Sequence, residues 1–185
     1  AIENAAIAKA ERFAKMVEII QSAPITDVIA KSRGMSVRGE STNLSHNAGI
    51  GLHRSALIGL LAKYQDDFEI AWRDDTVLVR GLAREAMYKG AIKQMLVGAR
   101  NAWVWESNNN VIVFIAAGAD PFTELISWCL APENYEYAKG ALTLAVSGQD
   151  QAKPVLHPSE PPVAGGQVSE IRELLNAGIS KGVVW

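Results

Sequence analysis

The stretch NAWVWESNNNVIVFIAAG, Asn101–Gly118, decides the fold class because it has the pattern of two strands around one turn. Trp103 and Trp105 alternate with Val104, which is the spacing of side chains on opposite faces of a strand. The turn falls at Ser107–Asn110, where asparagines tolerate the left-handed backbone of tight turns. Both faces of this predicted β-hairpin are apolar, so it needs a cover on each side.

A second stretch, FEIAWRDDTVLVRG at Phe68–Gly81, has the same outline. Phe68, Ile70 and Trp72 stand at alternate positions, as on one face of a strand. Asp74–Asp75 follows at the place where a tight turn belongs. We therefore interpret this stretch as another hairpin.

Helical patterns precede both hairpins, so the chain repeats a unit of helix plus hairpin. Leu52–Tyr64 precedes the first hairpin, and Ala83–Ala99 lies between the two. Apolar residues at helical spacing also predict an amphipathic helix over residues 2–21. Residues 25–38 fit either a third hairpin or a short helix capped by Thr26, and we favour the hairpin.

The predicted fold class is α+β, with helices covering one antiparallel sheet. The sheet is built from the repeated helix-plus-β-hairpin units. After the last hairpin, Asp120 suits a helix N-cap and Pro121 suits the first helical position. Another helix starts at Pro132, and together these two helices are expected to shield the second face of the sheet.

One compact α+β domain is predicted over residues 1–147, followed by an extended C-terminal arm over residues 148–185. The arm is rich in proline and glycine and has few residues that form a core. It ends in a short helical pattern, which is marginal as an isolated helix and must dock on something. The predicted interface residues are its apolar stripe and the final tryptophan: Val168, Ile171, Leu174, Leu175 and Trp185.

Composition and charge exclude few classes of function. The chain has 185 residues, a formal charge of -2 and one cysteine, Cys129, which cannot form an internal disulfide. This charge provides no global attraction to nucleic acid or to a membrane surface. Without a leader pattern or a long apolar segment, we expect a protein of the cytoplasm or of a virion that is not secreted and binds no membrane.

Basic residues around a glycine-rich loop are the best candidates for binding an anion or nucleic acid. Gly49 and Gly51 let a backbone approach a ligand just where a helix begins. The candidate side chains are Lys31, Arg33, Arg38, His53 and Arg54. A second basic group, Lys89, Lys93 and Arg100, is predicted on one helix face. Ordinary solvated surface is the competing explanation for both groups.

Patterns typical of catalysis or metal binding are weak. Serine and histidine come together at residues 45–55, without the sharp turn that exposes a nucleophile. The acidic pairs Asp66–Asp67 and Asp74–Asp75 fall at the ends of predicted elements, where turn chemistry explains them. Histidine and cysteine show no metal-ligand spacing. We expect no catalytic residue, metal or cofactor.

The function expected from the sequence is that of a non-enzymatic, self-associating structural protein. Its C-terminal arm would dock on a neighbouring subunit to form a homo-oligomer, as in a viral coat or nucleocapsid-like assembly. One alternative is a nucleic-acid-binding module that uses the basic loop at residues 31–54. The other is a small enzyme with a phosphate or anion site at Gly49–Arg54.

Overall fold

A computed structural model describes residues 2–148 of the chain. Within them the chain is mixed helix and sheet, which confirms the α+β class at this level. The helices are α1 (Ile2–Ser22), α2 (Ile25–Gly34), α3 (Ile50–Lys63), α4 (Gln65–Arg73), α5 (Asp75–Tyr88), α6 (Pro121–Leu130) and α7 (Tyr135–Ser147). The strands are β1 (Ser36–Val37), β2 (Glu40–Ser41), β3 (Ile92–Val97), β4 (Arg100–Trp105) and β5 (Val111–Phe114).

The hairpin predicted from Asn101–Gly118 is confirmed. It consists of β4 and β5, which pair antiparallel, with Trp103 opposite Val113. Asn109 in the connecting turn has a φ of 56°, the left-handed conformation expected of an asparagine turn. Trp103 and Trp105 are both buried, as their spacing predicts.

The hairpin predicted over Phe68–Gly81 is wrong, because this stretch forms α4 and α5. Asp74 is the N-cap of α5, and its carboxylate accepts a hydrogen bond from the Thr76 amide at 2.8 Å. Phe68 and Trp72 are four residues apart and stack at 5.9 Å between ring centroids on one side of α4, whereas Ile70 is exposed. A short alternating pattern fits both structures, and here the helical one forms.

Two further boundaries differ from the prediction. Residues 25–38 are mostly helix α2, so the favoured hairpin there is wrong and only a two-residue ladder, β1 with β2, follows it. The helix predicted over Ala83–Ala99 ends at Tyr88, and β3 replaces its second half. The sheet order is β3-β4-β5. The repeated helix-plus-hairpin unit, as predicted from these segments, is therefore not confirmed within residues 2–148.

Two clusters of buried side chains form the interior of residues 2–148. One lies among α1, α2, α3 and α4, with Ile20, Leu57 and Phe68 fully buried. The other packs α5, α6 and α7 against the tryptophan face of the sheet. Helix α6 begins as predicted, with the Asp120 carboxylate accepting from the Thr123 amide at 2.8 Å. Helix α6 packs on β5, whereas α7 packs on α5. The two helices therefore do not shield the other face of the sheet together, contrary to the sequence prediction.

Helices α2 and α5 are joined by an unusually close backbone contact. A Cβ atom placed on Gly81 would lie 1.6 Å from the carbonyl oxygen of Ala30. A Cβ atom on Gly34 would lie 1.9 Å from the carbonyl oxygen of Val77. Glycine is required at both positions, and this contact brings the last turn of α2 against the middle of α5.

Candidate functional site

Arg33 is the centre of the predicted basic site, and the structure buries it. It lies in the last turn of α2 and is 7% exposed. Its Nε donates to Glu85 Oε2 on α5 at 3.1 Å. Its terminal nitrogens donate to the backbone carbonyls of Leu44 at 2.6 Å, Ser45 at 2.8 Å and His46 at 3.1 Å. The guanidinium therefore ties the glycine-rich loop to α2 and α5.

These contacts determine what Arg33 can do. They use four of the five N–H donors of a guanidinium, and the Tyr88 ring lies 4.8 Å from its central carbon. The Glu85 carboxylate balances the charge in a place with little water. An external phosphate would have to displace these partners, so Arg33 acts as an internal anchor for the loop.

His53 lies near the same ion pair and is buried even more completely, at 1% exposed. Neither ring nitrogen makes a hydrogen bond of ordinary geometry with a described residue. Burial lowers the His53 pKa, and the positive charge of Arg33 lowers it further, against weaker opposition from Glu85 and the backbone of Ala48. His53 is therefore neutral at physiological pH and supplies no positive charge to a ligand.

Two of the other three predicted site residues have separate partners. Lys31 donates to the Trp72 carbonyl and lies 5.0 Å from the centre of the Trp72 ring. Arg38 is exposed and pairs with Asp67 at 2.5 Å. Arg54 is half-buried in the first half of α3, and its buried Nε donates to no described residue. The five residues therefore form no common cradle, although Arg33 and His53 interact.

The second basic group does not share a helix face. Lys89 follows the end of α5 and donates to the Val146 carbonyl. Lys93 lies on β3 and pairs with Glu106 at 2.5 Å. Arg100 begins β4, and its guanidinium carbon lies 3.9 Å from the centre of the Phe114 ring. Within the described residues, neither Lys89 nor Arg100 is paired with a carboxylate, and the charge of Arg100 has only the aromatic ring beside it.

The geometry of the described residues supports neither a metal site nor a reactive thiol. Across residues 2–148 no three histidine, cysteine or acidic side chains come close enough together to bind a metal ion. Burial raises the pKa of the Cys129 thiol to about 12, so it stays protonated and unreactive. The predicted interface residues, Val168, Ile171, Leu174, Leu175 and Trp185, lie outside the described residues.

The first half of α1 is a surface feature that the sequence interpretation missed. Residues 4–12 are all exposed, and polar contacts hold them to α4: Arg12 to Asp66 at 2.7 Å, and Gln65 Nε2 to the Lys9 carbonyl at 3.2 Å. The second half is anchored by buried side chains such as Ile20. The alanine-rich composition of residues 5–10 was the available signal.

An apolar strip runs along this exposed part of α1. Ala6, Ile7, Ala10 and Ala14 are separated by steps that keep them on one side of a helix, and all four are exposed. Ile7 retains 53% of its accessible surface. Ala8 lies on a different side of the helix, together with Glu11 and Lys15. We call the four residues the α1 strip.

Comparison of the chain with protein-family models, with curated proteins and with solved structures found no match. Among residues 2–148, no helix combines the length and apolar character needed to cross a bilayer.

Proposed function

We propose that the protein is a non-enzymatic structural subunit that self-associates, of the kind found in viral coats or nucleocapsids. The observation that supports this proposal is the α1 strip, whose apolar residues are exposed along an ordered helix. Its partner is a second copy of the chain. The apolar stripe predicted at residues 168–175 is a second contact element in this proposal.

Physical chemistry favours a helical partner for the α1 strip. Alanines present little bulk, so a second helix can approach the α1 backbone closely and make many van der Waals contacts. Ile7 adds a larger side chain whose burial contributes roughly 1.5–3 kcal/mol before the costs of association. A homo-oligomer formed by such contacts is the commonest form of protein assembly.

Two matched substitutions that each introduce a charge test this surface. Ala10→Glu places a carboxylate on the α1 strip, whereas Ala8→Glu places the same group on another exposed side of the same helix. Sedimentation velocity over a range of concentrations should show that Ala10→Glu weakens association at least about tenfold, since an unpaired buried charge costs several kcal/mol. Ala8→Glu should associate as the wild type does.

A truncated chain tests the second contact element. Residues 2–148 contain both interior clusters, so a chain ending at Gly148 is expected to fold. Loss of association in this chain would support the predicted role of the stripe at residues 168–175. If Ala10→Glu and the truncated chain both keep the wild-type oligomeric state, neither surface mediates assembly and the proposal fails.

A further inference from the structure

A groove of about 500 Å³ lies at one end of the sheet, between β3, β4 and the segment that leads from β5 into α6. Gln94, Arg100, Asn101 and Phe114 line it together with residues 115–119. Its volume is in the range of small-ligand sites, and it is only half enclosed. A polymer could therefore enter and leave it along the surface.

Arg100 lines this groove, and no described carboxylate is paired with it. Its guanidinium carbon lies 3.9 Å from the centre of the Phe114 ring, and neither a hydrogen bond nor an ion pair joins it to another described residue. Arg33 and Arg38, by contrast, are paired with Glu85 and Asp67. Arg100 thus keeps its N–H donors and one side of its guanidinium for a ligand.

The other polar groups in the groove are also unused. Gln94 and Asn101 are exposed, and their side-chain amides make no hydrogen bond within residues 2–148. Ala116 and Ala119 close a turn through a 3.0 Å backbone hydrogen bond, with Gly118 at a φ of 79°. The amides of Ala117 and Gly118 in this turn donate to no described backbone group.

Asp120 stands between two groove residues in the sequence, but its carboxylate caps α6. Asp120 follows the turn, but its carboxylate accepts from the Thr123 amide and the Thr123 hydroxyl, both at 2.8 Å. These bonds commit the carboxylate to capping α6, and Asp120 does not line the groove. The groove is therefore locally positive although the chain as a whole is slightly acidic.

We propose that this groove binds a nucleotide unit of single-stranded nucleic acid. A base stacks on the open side of the Arg100 guanidinium, which Phe114 supports from the other side. Arg100 and the free turn amides bind the phosphate. This inference is independent of self-association, because it uses a different surface and different residues.

Fluorescence anisotropy of the full chain with a labelled oligouridylate at low salt provides the test. Arg100→Gln and Phe114→Leu should each weaken binding by about 5-fold to 150-fold, the range expected for loss of one stacked base. Arg100→Gln should also reduce the slope of log K against log salt by about 0.7. Lys15→Gln is the matched control, since it removes an exposed charge from α1 and should bind as the wild type does.

Competition experiments distinguish binding of a whole nucleotide from binding of phosphate alone. Uridine monophosphate should displace the oligouridylate, whereas inorganic phosphate at the same concentration should not. The proposal is overturned by absent wild-type binding at low salt, by equal displacement with inorganic phosphate, or by an Arg100→Gln variant that binds as tightly as Lys15→Gln. Arg100 is exposed, so this variant stays informative even if Phe114→Leu destabilises the sheet.

Discussion

Burial and pairing decide the roles of individual charged residues in this protein. Arg33 and Arg38 are five positions apart in a basic segment, yet one is a buried anchor and the other an exposed member of a surface ion pair. The partner of Arg33 is Glu85, 52 residues away in sequence. No local pattern could have indicated this pair, which is why the predicted basic site does not assemble.

Removing Glu85 should be strongly destabilising. Glu85→Ala leaves the Arg33 charge buried without its carboxylate, which typically costs about 3–5 kcal/mol. Chemical denaturation monitored by circular dichroism would measure the loss in the free energy of unfolding. Asp66→Ala, which breaks an exposed pair with Arg12, is the control and should be close to the wild type. A similar result for both variants would show that the Arg33–Glu85 pair is not an anchor.

His53 should make stability depend on pH. Its pKa is lowered in the folded state, so as the pH falls the unfolded chain takes up the proton first. The free energy of unfolding is therefore highest above the ordinary histidine pKa of about 6.5 and decreases as the pH falls from there toward the lower folded pKa.

Comparison with His53→Leu isolates this contribution. The variant cannot titrate at this position, so the wild type should lose more stability than the variant between about pH 7.5 and about pH 5.5. Urea denaturation at each pH would measure both curves. Parallel curves would mean that His53 is accessible to protons in the folded protein.

At the scale of elements, some helices and one hairpin could be predicted from the sequence, whereas the helices of Phe68–Gly81 could not. Helix α1 and the hairpin of β4 and β5 follow from their periods, and α6 follows from Asp120 and Pro121. The segment Phe68–Gly81 was misinterpreted because its apolar residues fit both a strand and a helix. Asp74 was assigned to a hairpin turn, but it is a helix cap.

The glycine contact between α2 and α5 could not be anticipated either, since it depends on two backbones that meet in space. We expect Gly81→Ala to destabilise the protein by about 1–3 kcal/mol or more, because the added methyl group would overlap the Ala30 carbonyl. Gly59→Ala is the matched control in α3, where a Cβ atom would meet open space. This change should raise stability by about 0.8–1 kcal/mol.

Thermal unfolding of the two glycine variants separates packing from helix propensity. Opposite shifts in the midpoint temperature are expected, downward for Gly81→Ala and upward for Gly59→Ala. An upward shift for both would mean that α2 and α5 can move apart at no cost. In that case the close contact between α2 and α5 would not be what positions Arg33 beside Glu85.

At the scale of the whole molecule, two exposed surfaces have properties that the interior does not explain. The α1 strip is apolar and lies on a regular helix, which favours protein contact. The groove at Arg100 and Phe114 has a cationic side chain without a carboxylate partner beside an aromatic ring, which favours a nucleotide. A subunit that assembles around nucleic acid would need both kinds of surface.

The molar mass of the full chain as a function of concentration tests self-association most directly. Size-exclusion chromatography with light scattering should give a mass that exceeds the 20.0 kDa of one chain and rises with concentration. A mass that stays at 20.0 kDa up to the highest soluble concentration would contradict the proposal that the protein is an assembly subunit.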